Sequence, residues 1–206
     1  MERCVIVGGA EINNYDFVCR HLRQDDFAIF CDSGLRHLKN LNVTPSLIVG
    51  DFDSHENPHL DVETIVLPCE KDDTDTVFAV KEAIKRGFNS FMLIGVVGGR
   101  LDHTLANTSI LVMLQEEGKT GIIIDDYSIM EIIADKPVYV EDSCKFFSLL
   151  NITGIAEEIS IENAKYPLHN GTIECYYQYG TSNEVLPNHT AKIVVGKGKL
   201  LLIRVF

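Results

Sequence analysis

The chain has 206 residues, 46% of them hydrophobic and 23% charged, with a mean hydropathy of +0.07; this is globular composition, with enough length for one large core or two small ones, and it excludes a disordered or fibrous polymer. Thirty acidic against 18 basic residues leave a net charge of −12. That field repels nucleic acid and anionic membrane, and no local basic patch offsets it, so neither is expected as a partner; an anionic substrate would need metal ions to neutralise the charge.

In chain order, short apolar runs alternate with helical patterns over the first 125 or so residues. Residues 4–7 predict a strand ending at Gly8-Gly9, 15–23 a helix, and 28–31 a strand ending at Asp32-Ser33-Gly34. A short helix is expected over 35–40, and a strand over 47–49 ending at Gly50-Asp51. Residues 64–67 read as a fourth strand. The stripe Val77, Val80, Ala83 and Ile84 predicts a helix over 75–86, stopped by Gly87. Residues 91–94 and 122–124 read as strands, with a helix over 105–116 between them. Strands apolar throughout and separated by helices indicate a parallel sheet covered on both faces.

After Asp125-Asp126 the pattern changes to short β-rich runs at 129–133, 145–150, 173–177, 193–195 and 200–205, with no helix. Asp135-Lys136-Pro137, Asn170-Gly171 and Gly196-Lys197-Gly198 supply turn signals. The expected organisation is α/β plus all-β: a Rossmann-like parallel-sheet nucleotide domain over 1–127, then a β-sandwich over 128–206. The six cysteines show no CxxC and no zinc spacing, and read as reduced thiols. No secretory signal is legible, and the longest apolar run, 91–99, is far below the ~20 residues of a membrane span. The expected location is cytoplasmic.

The unusual residues gather at predicted strand ends, where open α/β sheets bind ligands. In Gly50-Asp51-Phe52-Asp53-Ser54 an extended backbone would aim Asp51 and Asp53 to one side. Their repulsion, ~4 kcal/mol at about 4 Å and an effective dielectric near 20, invites a divalent cation. Lys71-Asp72-Asp73-Thr74-Asp75 opens a helix; Asp73 or Thr74 suits the N-cap, but three aspartates within four residues exceed what capping needs. Together these acids predict a magnesium–phosphate site, since magnesium shares its shell between carboxylates and substrate phosphates. Gly95-Val96-Val97-Gly98-Gly99-Arg100-Leu101-Asp102-His103 joins a strand to a helix, with glycines that let backbone approach phosphate and an arginine to neutralise it. It is neither a GxGxxG fingerprint nor a P-loop, and Gly118-Lys119-Thr120 lacks the first glycine of one.

Taken in order, Asp32-Ser33-Gly34, Gly50-Asp51-Phe52-Asp53-Ser54, Lys71-Asp72-Asp73-Thr74-Asp75, Gly98-Gly99-Arg100-Leu101-Asp102-His103 and Gly180-Thr181-Ser182-Asn183-Glu184 resemble the segments of the thiamin pyrophosphokinase family. Ser33 departs from its usual glycine. The resemblance implies transfer of the β,γ-diphosphate of ATP to the hydroxyl of thiamin, giving thiamin diphosphate and AMP, by a homodimer with its active site at the subunit interface. It implies a metal on Asp51, Asp53, Asp72 and Asp75, and catalysis by Asp53, Asp72, Asp75 and Arg100. ATP contacts fall on Asp32, Ser33, Gly34, Lys71, Thr74, Gly99, Arg100, Asp102 and His103, and thiamin contacts on Asp51, Ser182 and Asn183. Tyr176, Tyr177 and Tyr179 read as strand packing. The competing readings are a magnesium-dependent nucleotidyl- or glycosyltransferase using Asp51-Phe52-Asp53, and a catalytically silent nucleotide- or metal-sensing module.

Overall fold

In the computed structural model the described residues are 3–52, 60–70 and 72–206. They form two compact units, Met1–Asp126 and Tyr127–Phe206. The first holds six strands, β1 (Cys4–Val7), β2 (Phe27–Cys31), β3 (Leu47–Gly50), β4 (Thr64–Val66), β5 (Ser90–Ile94) and β6 (Thr120–Ile124). Every pair is parallel, in the order β4-β3-β2-β1-β5-β6. The β1 residues Cys4–Val7 are buried throughout, as a strand covered on both faces demands. Val7 pairs with both Phe30 and Ile94, and Cys31 with Val49. The central strands therefore end level, and Gly8, Asp32, Asp51 and Gly95 follow at one edge.

Helices α1 (Tyr15–Cys19), α2 (Asp75–Lys85) and α3 (Leu101–Glu116) and a 3-10 segment (Asp32–His37) connect them. Asn14 caps α1, accepting from Phe17 N–H at 3.1 Å, but the helix stops after five residues, short of the predicted end at residue 23. The segment expected over 35–40 begins at Asp32 instead. Helix α3 starts a turn earlier than expected, so Asp102 and His103 lie within it; Leu101 is 67% exposed, and that first turn offers no inward apolar residue to announce it.

The second unit contains β7 (Ser128–Ile133), β8 (Val138–Glu141), β9 (Phe146–Leu150), β10 (Ile155–Glu162), β11 (Leu168–Glu174), β12 (Thr190–Val194) and β13 (Leu200–Val205). They pair antiparallel in two sets, β7-β13-β9 and β11-β10-β12-β8. Phe147, Leu149, Ile159, Ile173, Ile193 and Leu202, drawn from both sets, belong to one buried cluster. Among the described residues of this unit no helix occurs, as expected.

Two expectations fail here for one reason. Asn170-Gly171 is no turn: Asn170 takes φ +50° inside β11, and the pairing with β10 shifts register around Gly171. The strand therefore covers Leu168–Glu174 rather than 173–177, and Tyr176 and Tyr177 fall beyond it, 79% and 64% exposed. On the partner strand Glu158 takes φ +56°, so Ala156, Ile159 and Ile161 are buried at spacings that break simple alternation. That hid β10 from a period-two reading. No helix of the described residues is long and apolar enough to cross a membrane.

Candidate active site

Three carboxylates converge at the level strand ends. Asp32 follows β2, Asp51 follows β3 and Asp75 opens α2. One carboxylate oxygen from each lies within 4.8 Å of the others. Asp32 is buried and the other two are half-buried. Gly50 makes this approach possible: a Cβ there would stand 2.5 Å from the Cβ of Asp32. Among the described residues, the group includes Asp32 and leaves out Asp72, unlike the sequence expectation. Phe52 takes φ +57°, so the backbone at that residue is not extended. Asp53 and Lys71 lie outside the described residues. Asp72 is exposed and stands outside the group, Asp73 is held by Lys81 Nζ at 2.7 Å, and Thr74 caps α2 by accepting from Val77 N–H at 3.3 Å. Asp32, expected only at the nucleotide, takes the third place.

The donor set fits magnesium. All three groups are hard oxygens, and two ligands of an octahedral magnesium ion lie at most ~4.2 Å apart, so a small contraction of the trio suffices. Without a cation, each pair of charges at about 4 Å repels by ~4 kcal/mol at an effective dielectric near 20.

Asp75 also lines a cavity of about 520 Å³. Residues 8–11, Ser33, Arg36, Thr74, Thr76, Gly98, Gly99, Arg100, His103, Thr104 and Asn107 share its wall. Ser33, where glycine is usual in the resembled segment, is accommodated by its neighbour: a Cβ on Gly9 would collide with the Ser33 side chain at 1.9 Å. Gly34 is buried against the carbonyl of Val7 and does not line the cavity. Cys31 lies at the cavity wall too, and burial, reinforced by the charge of Asp75, pushes its thiol far above the usual range.

The glycine-rich connection into α3 is fixed by side chains the sequence reading passed over. Thr104 Oγ1 accepts from Gly98 N–H at 3.0 Å, and the buried Asn107 donates its Nδ2–H to the carbonyl of Val96 at 2.9 Å. Both sit on α3 and reach back to the loop, so polar residues on an otherwise inward helix face were the available signal. Arg100 donates to both oxygens of Asp102, at 3.0 and 2.7 Å, and that guanidinium holds the Asp102 carboxyl well below the ordinary carboxylate range. Asp102 thus partners Arg100 rather than the cavity. Arg36, exposed on the cavity rim, was not foreseen.

In the second unit a cavity of about 160 Å³ is lined by Ile161, residues 166–168, Ile173, residues 179–181 and Asn183. Asn183, expected to meet a ligand, is buried and already engaged. Its Oδ1 accepts from the N–H groups of Tyr166 at 3.0 Å and Glu184 at 2.9 Å, and its Nδ2–H donates to the carbonyl of Tyr166 at 2.8 Å. Ser182 is exposed, with φ +56°. Tyr179 donates its hydroxyl to the carbonyl of Thr172 at 2.6 Å and its ring lies 5.5 Å from that of Tyr177. Tyr177 and Tyr179 form an exposed aromatic pair beyond the end of β11, and Tyr176 is exposed as well, instead of packing within a strand.

Fold and site together define a class: a parallel α/β unit with a polar cavity and a carboxylate trio at its strand ends, followed in the chain by an antiparallel β unit. Two family models divide the chain in the same sense, "Thiamin pyrophosphokinase, catalytic domain" over residues 18–123 and "Thiamin pyrophosphokinase, vitamin B1 binding domain" over residues 136–200. The chain belongs to the thiamin pyrophosphokinase family. It is 26% identical to the thiamine pyrophosphokinase of Bacillus subtilis strain 168 over 215 aligned residues, covering 99% of each chain. It is 26% identical to thiamin pyrophosphokinase 1 of Caenorhabditis elegans, over 68% of this chain and 63% of that protein. The fold matches the crystal structure of the Bacillus subtilis enzyme with a TM-score of 0.86 at 24% identity over 99% of both chains. It also matches thiamin pyrophosphokinase from Candida albicans with a TM-score of 0.76 at 14% identity, over 100% of this chain and 89% of the other.

Proposed function

We propose that this chain forms thiamin diphosphate and AMP from thiamin and ATP by pyrophosphoryl transfer. Membership of the thiamin pyrophosphokinase family supports that reaction across both units. The observation that carries the site assignment is the convergence of Asp32, Asp51 and Asp75, with Asp75 on the wall of a cavity large enough for a triphosphate. In this reading residues 1–127 are a Rossmann-like ATP domain and 128–206 a β-sandwich thiamin domain. The shared buried cluster of the second unit's two strand sets supports the sandwich description.

Asp32, Asp51 and Asp75 would hold magnesium, with Asp53 as a further candidate. Bound there, the ion supplies neutralisation of phosphate charge. The chain's own groups do the rest. Arg100 leaves Asp102 to meet the phosphates, assisted by Lys71 and by the positive end of α3 beside Gly99. Thr74, Ser33 and His103 line the nucleotide cavity and orient it. The hydroxyl oxygen of thiamin attacks the β-phosphorus, the bond from that phosphorus to the α,β-bridging oxygen breaks, and AMP leaves with the electron pair. Asp75 accepts the hydroxyl proton. In the second unit Ser182 offers the aminopyrimidine a hydroxyl, and Asn183 shapes the neighbouring cavity instead of reaching the ring. A homodimer and a cytoplasmic location complete the proposal; the family resemblance supports the first, and six free thiols support the second.

The test is product analysis. Protein, ATP, magnesium and thiamin are expected to give AMP and thiamin diphosphate in equal amounts, and omission of magnesium is expected to stop both. Stoichiometric ADP would overturn the pyrophosphoryl assignment, and released inorganic pyrophosphate would favour a nucleotidyltransferase.

A further inference from the structure

His37 closes the 3-10 segment that Asp32 opens, and it is buried. Its Nε2 lies 2.9 Å from the carbonyl oxygen of Ala10, and its Nδ1 lies 2.7 Å from the Tyr15 hydroxyl. A carbonyl oxygen can only accept, so Nε2 carries the hydrogen. Burial, with a smaller contribution from the charge of Arg36, pushes the imidazole below its usual range, against the opposing pull of the Ala10 carbonyl. That direction favours the neutral ring, and in the Nε2–H tautomer the bare Nδ1 accepts from the Tyr15 hydroxyl. One tautomer is thus satisfied at both nitrogens.

Ala10 belongs to the stretch of residues 8–11 that walls the cavity. Its N–H donates to the carbonyl of Gly95 at 2.8 Å, so its peptide groups are gripped from the β5 side as well as by His37. Its methyl carbon packs closely against Gly98, where a Cβ would come within 3.1 Å. A single imidazole therefore ties the β1–α1 connection to the segment that supplies Asp32 and Arg36.

We propose that His37 is a positioning residue, holding residues 8–11 in the shape that receives the nucleotide's phosphates without touching them itself. The inference rests on the reading of the cavity as the ATP site. A glutamine at 37 can keep a donor near the Nε2 position; an asparagine is too short to reach the Ala10 carbonyl. His37→Ala is expected to raise the KM for ATP about tenfold, as loss of one hydrogen bond to a positioned backbone group would, while the KM for thiamin stays within about twofold. His37→Gln is expected to restore most of the ATP affinity and His37→Asn to restore none. An unchanged ATP KM in His37→Ala, an equal rise in both KM values, or equal behaviour of the glutamine and asparagine variants would overturn the proposal. Should the alanine variant not fold, the glutamine–asparagine comparison decides alone. Calorimetry of the wild-type protein with magnesium and ATP is done first: absence of binding there overturns the cavity reading itself, before any substitution enters.

Discussion

Asp75 meets two demands at once. As the first residue of α2 it gains from the positive end of the helix, and as a member of the trio it faces two like charges. The second effect is larger: a helix terminus is worth about 0.3–1 kcal/mol at an exposed position, against ~4 kcal/mol for each close like-charge pair. Neutralising the residue should therefore spare the fold while removing the proposed ligand and proton acceptor. Asp75→Asn is expected to lower turnover by about three orders of magnitude. Its melting temperature without magnesium should equal or exceed that of the wild type, and the upward shift produced by magnesium should largely vanish. Near-normal AMP release by this variant would remove Asp75 from the catalytic group.

At the scale of elements, the site depends on how tightly the 3-10 segment lies against β3. Gly50 is the last residue of that strand, and any side chain there meets Asp32 at 2.5 Å. Gly50→Ala is expected to cost about 1–3 kcal/mol in urea unfolding, as overpacking of a tight contact does. It should weaken magnesium binding by more than that loss of stability explains, because Asp32 is the group displaced. Unchanged magnesium affinity in a destabilised variant would show that Asp32 contributes no ligand. The same contact marks where the sequence was legible. Strand ends were readable because apolar runs stop at Asp32, Asp51 and Gly95, and their common edge follows from parallel pairing. That Asp32 joins Asp51 and Asp75 was not readable, since it turns on a glycine whose role is an absence of atoms. Asn183 shows the converse limit. Its motif was visible, but only the neighbouring backbone of Tyr166 reveals that its amide is already engaged.

For the whole molecule, the net charge of −12 arises from 30 acids against 18 bases, and three of the acids form the carboxylate trio. Most of the others bear on solubility and partner exclusion, so the trio's contribution must be sought locally. Hydrogen exchange provides that resolution, because a ligand that binds only the folded state suppresses local opening around its own contacts. A non-hydrolysable ATP analogue with magnesium, at about 100 times its Kd, contributes ~2.7 kcal/mol, which slows exchange by about 100-fold wherever the bound region must open. Protection is expected at residues 8–11, 31–36, 74–76 and 95–107, all in the first unit. Thiamin added afterwards is expected to protect residues 166–183 in the second. The two patterns test the division of labour between the units directly. Nucleotide protection confined to residues 128–206 would invert the assignment, since the α/β unit would then hold a carboxylate trio and a cavity that no phosphate enters.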